Sequence, residues 1–340
     1  MIFLVKQVSI NMSKSKFSKN FTFIDLFAGI GGFRIALESF GGKCVFSSDW
    51  DKYSQMVYEA NFGDRPIGDI TKIDAKDIPP HNVLCAGFPC QAFSISGKQE
   101  GFKDTRGTIF FDIARIAKYH KPEILFLENV KNLTKHDDGK TLKVVFNALD
   151  EVGYRVFKEV LNASHYGVPQ SRERIYFIGF RKDLGIEDFD FPKPTLEQIK
   201  LRDVLRPNSE AEKCVIKRDD IKFNDKVLKL RRQDIFGSCS LFPIQIGTIN
   251  KGGQGERIYS IDGHAVTLSA YGGGAASKTG AYLVNGVVRK LTPYECSQVM
   301  GFPKDFKIPV TDGQAYKLFG NSVVVPVLKK VFGEVIKKLS

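Results

Sequence analysis

The sequence predicts an α/β fold: a mostly parallel sheet covered on both faces, with a smaller, irregular β-rich region set late in the chain. Three observations predict it. From residue 21 to residue 180, short, near-continuous apolar runs alternate with segments of helical period, the pattern of parallel strands buried on both sides. After Phe191, Pro192 and Pro194 break the chain, and residues 195–235 are charged and weakly periodic. Residues 247–286 are then rich in glycine, with short β-like runs between. The composition allows such a fold, since 340 residues with 43% hydrophobic and 26% charged suit a globular chain and exclude a disordered one. The longest early apolar run, residues 1–5, is too short to cross a bilayer or to form a signal-peptide core, so no membrane partner is expected.

The elements follow in order. Residues 1–20 are polar after the first five and read as a leader. Residues 21–27 (FTFIDLF) read as a buried strand, residues 29–32 as a glycine turn, 33–40 as a helix and 43–48 as a second strand. Residues 51–61 carry Tyr53, Met56, Val57 and Ala60 at helical spacing. A strand over 83–86 precedes a helix over 109–119, whose Ile109, Phe110, Ile113, Ile116 and Ala117 share one face. Residues 124–127 read as a strand, 142–152 as a helix, and 155–161 and 174–180 as further strands. In the glycine-rich region the runs RIYSI, AVTLSAY and AYLVNGVV read as strands. Helical character returns from Leu291 and ends in a helix over 323–339, expected to pack back on the first region.

Charge and cysteines narrow the function. Fifty Lys+Arg against 38 Asp+Glu give a net charge of +12. Residues 193–304 hold 18 basic and 11 acidic residues, an excess of seven, so a third of the chain carries more than half of the imbalance. That distribution predicts a docking surface for a polyanion rather than an evenly solvated shell. The six cysteines form no C-x-x-C pair and the five histidines lack metal-binding spacing. Neither a disulfide framework nor a metal site is expected, and free thiols suit a reducing cytoplasm.

Three constellations carry chemistry. In FIDLFAGIGGF, Gly29, Gly31 and Gly32 lie between a strand and a helix, where backbone N–H groups can approach a ligand. Asp49 follows twenty residues after Gly29, at the end of the second strand, where an acid can accept hydrogen bonds from ribose hydroxyls. A nucleoside cofactor is the reading, and a dinucleotide or S-adenosylmethionine would each satisfy it. Trp50, the one tryptophan, is placed either to stack on an adenine or to pack in the core. Asp69 reads as a partner of the adenine amino group or as a turn residue. Second, Cys90 lies in AGFPCQAFSISGK, just past the carboxyl end of a strand, where open α/β sheets place their active sites. Pro89 fixes the chain before it. Third, Glu128 ends the apolar strand ILFL, and Arg172 and Arg174 stand at i and i+2, facing one side of an extended segment. The alternative for the arginines is a surface ion pair through Glu173.

Taken together, Gly29–Gly32, Pro89-Cys90-Gln91, Glu128-Asn129-Val130 and Gln170-x-Arg172-x-Arg174 resemble the DNA cytosine-5 methyltransferases. Arg289-Lys290-Leu291-Thr292-Pro293-x-Glu295, Met300-Gly301-Phe302-Pro303 and Gly320-Asn321-Ser322-Val323 agree in order and spacing, so the resemblance runs from Phe21 to Leu328. It implies a Rossmann-like, S-adenosylmethionine-dependent sheet over residues 21–195 and 305–340, with target recognition and hinge over 196–304. It implies that Phe27, Ala28, Gly29, Ile30, Gly31, Gly32, Asp49, Trp50, Asp69, Ile70, Pro89 and Asn321 bind the cofactor. Cys90 would be the nucleophile at cytosine carbon 6, Glu128 would hold and protonate the N3 edge, and Arg174, supported by Arg172, would hold O2 and position Cys90. The base that removes the carbon-5 proton is not identified. The target must be flipped out of the duplex.

KGGQGERIYS and LSAYGGG closely resemble the recognition loops of the family's GCGC-reading restriction–modification members. By that resemblance Gln254 enters the helix beside the orphan guanine, with Ser96 approaching from the other groove. Arg257 contacts a guanine edge or a phosphate, and Tyr271 and Gly273 bring backbone to bases. Ser94 belongs to the same DNA-binding loop, where Lys98, Lys103 and Arg106 are expected on phosphates. Two departures stand out: Asp49 replaces a glutamate of those members, and residues 205–245 match less well and are longer. The expected protein is a bacterial, cytoplasmic enzyme acting as a monomer on double-stranded DNA. The competing readings are a tRNA cytosine methyltransferase, a non-catalytic DNA-binding relative, which should lack the Cys or the Glu, and a nicotinamide dehydrogenase, which gives PCQ and ENV no joint role.

Overall fold

Apolar runs that alternate between two covered faces build the central sheet of this computed structural model, which describes residues 20–88, 109–195, 199–225, 227 and 242–340. Its strands are β1 (Thr22–Leu26), β2 (Lys43–Ser48), β3 (Val83–Gly87), β4 (Ile124–Val130), β5 (Tyr154–Asn162) and β6 (Glu173–Arg181), in the order β2-β1-β3-β4-β6-β5. The helices are α1 (Gly32–Glu38), α2 (Lys52–Phe62), α3 (Ile109–His120), α4 (Lys140–Glu151), α5 (Pro293–Val299), α6 (Asp312–Asn321) and α7 (Val325–Leu339). Pairings β1–β2, β1–β3 and β3–β4 are parallel, whereas β6 pairs antiparallel with both β4 and β5. The expected mostly parallel sheet therefore has one reversed strand, β6. The cause is the short link over residues 163–172, which leaves no room for a crossover helix.

Alternation along each strand feeds two cores. Phe23, Val83, Cys85, Ile124 and Phe126 face α1 and α7, while Ile24, Leu84, Ala86, Leu125 and Leu127 face α3 and α4. Each such large side chain contributes roughly 1.5–3 kcal/mol by leaving water. The final helix returns to the first region as expected. The Phe332 ring lies 5.3 Å from that of Phe21 and stacks at 6.2 Å on Phe126.

A second sheet holds β7 (Ile221–Phe223), β8 (Gln245–Ile249), β9 (Arg257–Ser260), β10 (Ala281–Val284) and β11 (Val287–Arg289), in the order β11-β10-β9-β8-β7. Its own core is small and centres on Ile246, Ile249, Ile258, Ala281 and Val288. The run AVTLSAY is not a strand of this sheet. Its polar backbone groups are taken instead by the first region: the Ala265 N–H donates to the Pro169 carbonyl, Ala265 accepts from the Ser171 N–H, and the Leu268 N–H donates to Gln170 Oε1 at 3.1 Å. The segment is thus a strap between the two sheets, and its apolar Leu268 lies in the large core.

One buried ion pair secures the junction. Arg289, at the end of β11, and Glu295, on α5, are both fully buried, with contacts of 2.8 and 2.9 Å. Arg289 also donates to Asn208 Oδ1 and the Arg206 carbonyl, and Glu295 accepts from the Arg206 and Thr292 amides. Thr292 and Glu295 form a capping box with Pro293 in the first turn, so the helix start was written in the sequence TPYE. Leu291, Cys296, Val299 and Phe302 then bury themselves in the large core rather than against the second sheet.

Candidate active site

The first strand ends in a turn held at unusual backbone angles. Phe27 has φ 55°, followed by Gly29 at 55° and Gly31 at 85°. A bulky non-glycine residue in the left-handed region is strained by on the order of 1–3 kcal/mol, and such strain gathers at functional sites. Any side chain on Gly31 would also collide with the Phe62 ring, so glycine is required there twice over. Ala28 and Ile30 are buried, and Gly32 opens α1.

Asp49 meets this turn. Its Oδ2 accepts from the Gly29 N–H at 2.8 Å and its Oδ1 from the Asp51 N–H at 2.8 Å. Burial pushes the Asp49 carboxyl up to about 6, against the pull of those two amides. A carboxylate fixed in this way keeps lone pairs for ribose hydroxyls. Trp50, next to it, is 78% exposed, so it is free to stack and does not pack in the core. These groups fit an adenosine. Asp69 sits at a short helical turn, where its Oδ1 accepts from the Thr71 amide and hydroxyl, and the following Ile70 is buried. Asn321 is exposed at the end of α6.

The second cluster lies at the carboxyl ends of β3 and β4. In register, Gly87 faces Glu128, and Glu128 faces Tyr176. Glu128 is buried, with Oε1 3.2 Å from Arg174 Nε. Burial raises the Glu128 carboxyl above the ordinary range, outweighing the attraction of Arg174 and Arg172. A carboxyl so placed takes up a proton more readily than a free glutamate, and in its acid form it can donate a hydrogen bond. Asn129 has a part that sequence reading missed: its Nδ2 donates to the Phe88 carbonyl at 2.9 Å, fixing the chain as it leaves β3 beside Glu128. Pro89 and Cys90 come next, and with Ser94, Ser96, Lys98, Lys103 and Arg106 they lie outside the described residues.

Arg172 and Arg174 divide the work. Arg172 is buried and donates to three carbonyls, those of Leu268 at 2.8 Å, Gly320 at 2.9 Å and Ser322 at 2.7 Å. It thereby ties the strap and the end of α6 to the start of β6. Arg174 reaches Glu128. Glu173 pairs with Lys131 instead of bridging the arginines. Nothing in local spacing foretold the three carbonyls, which lie about a hundred residues or more away.

The candidate DNA readers gather on two touching loops. Gln254 opens a short turn and is exposed, Arg257 is exposed at the start of β9, and Tyr271 is 74% exposed. The loops meet through glycines: the Ala276 N–H donates to the Gly255 carbonyl at 2.8 Å, and a side chain on Gly255 would collide with the Gly273 carbonyl oxygen. A Cβ on Gly273 itself would meet no atom within 4 Å, so the chain's own packing does not demand glycine there.

Comparisons with known proteins agree with this geometry. The family described as C-5 cytosine-specific DNA methylase matches residues 21–337. The type II methyltransferase M.HhaI of Haemophilus parahaemolyticus is 55% identical over 94% of this chain and 95% of its own. M.HpaII of Haemophilus parainfluenzae is 43% identical over 96% of this chain and 92% of its own. Among solved structures, the S. pombe Dnmt2 methyltransferase superposes with a TM-score of 0.68 at 20% identity, covering 94% of this chain and 99% of its own, a likeness of fold.

Proposed function

The chain belongs to the C-5 cytosine-specific DNA methylases, and from that membership we propose that it methylates carbon 5 of the inner cytosine of GCGC in duplex DNA, with S-adenosylmethionine as methyl donor. The enzyme is a DNA cytosine-5 methyltransferase whose close relatives are type II methyltransferases. Its proposed role is to mark host DNA in a bacterial restriction–modification system, in the cytoplasm and as a monomer on DNA. No helix among the described residues is long and apolar enough to cross a membrane.

The observation that carries the mechanism is the buried Glu128–Arg174 pair beside the Gly87–Phe88 exit from β3, one residue short of Pro89-Cys90. Carbon 5 of cytosine is a poor nucleophile. Addition of the Cys90 thiolate to carbon 6 makes carbon 5 enamine-like, and Glu128, protonated, supplies the proton at N3 that neutralises the developing charge. Arg174 holds the O2 side and orients Glu128. S-adenosylmethionine, when bound, supplies an electrophilic methyl group. Gly29–Gly32, Asp49 and Trp50 would hold its adenosine, and Phe27, Ile70, Pro89 and Asn321 would be further cofactor-binding residues. Once carbon 5 carries the methyl group, a base takes the carbon-5 proton, the Cys90 thiolate leaves, the N3 proton returns to Glu128 and aromaticity returns.

Reaching the base requires flipping it out, at a few kcal/mol. Gln254 and Ser96 fill the gap, Arg257, Tyr271 and Gly273 read the flanking bases, and Ser94, Lys98 and Arg106 bind backbone. The second sheet, within residues 196–304, is the proposed reader. A GCGC duplex carrying 5-fluorocytosine tests the chemistry: the wild type forms a covalent adduct stable to denaturation, and Cys90→Ser does not. Full methyl transfer by Cys90→Ser would overturn the mechanism.

A further inference from the structure

Helix α6 touches both halves of the proposed site. On its cofactor side, Lys317 Nζ lies 2.9 Å from Asp51 Oδ2. Asp51 is already committed: its Oδ1 caps α2 by accepting from the Tyr53 and Ser54 amides, and its own N–H donates to Asp49 Oδ1. Asp49 in turn holds the Gly29 N–H, and its carbonyl accepts from Gln55 Nε2 at 2.6 Å. An unbroken chain of bonds therefore runs from α6 through Asp51 and Asp49 to the glycine turn, with the exposed Trp50 in its middle.

On its other side, α6 is pinned to the strap and the recognition loop. A side chain on Gly320 would collide with the Ser269–Ala270 backbone, and Arg172 binds the Gly320 carbonyl together with that of Leu268. Lys278 Nζ donates to the Gly313 carbonyl at the start of the helix. Lys317 and Asp51 are 32% and 22% exposed, so water screens their attraction only in part. The groups facing Lys317 hold its ammonium: the hydrogen bond it donates to Asp51 raises it above the ordinary range, and Tyr271 and Asp49 add to the effect.

We propose that Lys317 is a positioning residue whose bond to Asp51 fastens the Asp49–Asp51 cofactor loop to α6, and that α6 carries this constraint to the strap and the 271–278 recognition loop. Cofactor binding and target binding would then favour each other, and by linkage the coupling must be the same in both directions. The inference rests on the cofactor reading of the glycine turn and Asp49.

The single Trp50 gives a readout that does not depend on turnover. S-adenosylmethionine is titrated against wild type, Lys317→Met and Lys317→Arg by tryptophan fluorescence and by calorimetry, with and without a GCGC duplex. The expected result is a cofactor Kd weakened about two- to fivefold in Lys317→Met, the size expected of a partly exposed pair, and restored to near the wild-type value in Lys317→Arg. KM for the cofactor rises in step while kcat at saturation stays within about twofold, and the factor by which duplex tightens cofactor binding shrinks. An unchanged Kd in Lys317→Met overturns the inference. So does a fall in kcat equal to the loss of binding without rescue by arginine, because that is general structural damage. A weakened Kd with undiminished coupling overturns the relay to the recognition loop. If the wild type itself binds no S-adenosylmethionine by calorimetry, the cofactor reading beneath falls instead.

Discussion

Replacing Glu128 with glutamine separates chemistry from folding. In the fold the Glu128 carboxyl is buried, faces Arg174 at 3.2 Å, and is held above the ordinary carboxylate range because burial outweighs that pairing. The fold thus makes the neutral form easier to reach than in a free glutamate, and glutamine is a close isostere of that form. Stability should change little in Glu128→Gln at neutral pH, since the amide escapes the desolvation of a charge but gives up the ionic pairing with Arg174. The rate should not hold. The amide can donate a hydrogen bond to N3 but has no proton to give, and a positioned general acid is worth roughly 10²- to 10⁴-fold, about 3–5 kcal/mol of barrier. Single-turnover methyl transfer to a GCGC duplex, read across pH beside urea unfolding, measures both. The wild-type rate should fall as pH rises past the raised Glu128 value, because the acid form is the working one, and Glu128→Gln should lose that limb. Turnover in Glu128→Gln within tenfold of wild type, or with the wild-type pH limb intact, would refute the general-acid assignment.

Four further outcomes follow from particular contacts. The Asp49 carboxyl, at about 6 in the fold against an ordinary 3.8, is protonated below that value, so cofactor affinity should strengthen as pH rises through 6, and Asp49→Asn should flatten the profile in calorimetry. The same shift means that Asp49 lowers stability as pH climbs from about 4 to 6, since the unfolded chain gives up its proton first. Arg289→Met strands the fully buried Glu295 without its partner and should cost about 3–5 kcal/mol in urea unfolding, whereas a loss below about 1 kcal/mol would contradict the role of that pair. Gly255→Ala drives a side chain into the Gly273 carbonyl, so GCGC methylation should drop at least tenfold, while cofactor binding measured without DNA by Trp50 fluorescence weakens no more than the few-fold that the α6 link transmits; methylation within twofold of wild type would contradict the role of the touching loops.

The order of strands and helices was legible because the apolar runs were long and their alternation fed two faces, as Phe23 and Ile24 illustrate. The reversal of β6 was also available, in a ten-residue link too short to cross over, but apolar content alone does not give strand direction. The AVTLSAY run misled for a physical reason. Its alternation serves a strap that satisfies its backbone on Pro169, Gln170, Ser171 and Arg172, and only tertiary structure decides which partner an extended segment takes. At the site, Gly29, Asp49, Glu128 and Arg174 could be picked out by their positions at strand ends. The Asn129 bond to Phe88 and the Lys317 bond to Asp51 could not, since both join residues far apart in sequence with no periodic signal between.

Methylation of plasmid DNA by the purified chain and S-adenosylmethionine, read by bisulfite sequencing, tests the central claim most directly. The account predicts protection of the inner cytosine at GCGC sites on both strands and at no other sequence. Protection at another target would contradict the assignment of the recognition loops. No protected cytosine anywhere in the DNA, with methylation of tRNA under the same conditions, would contradict the account as a whole.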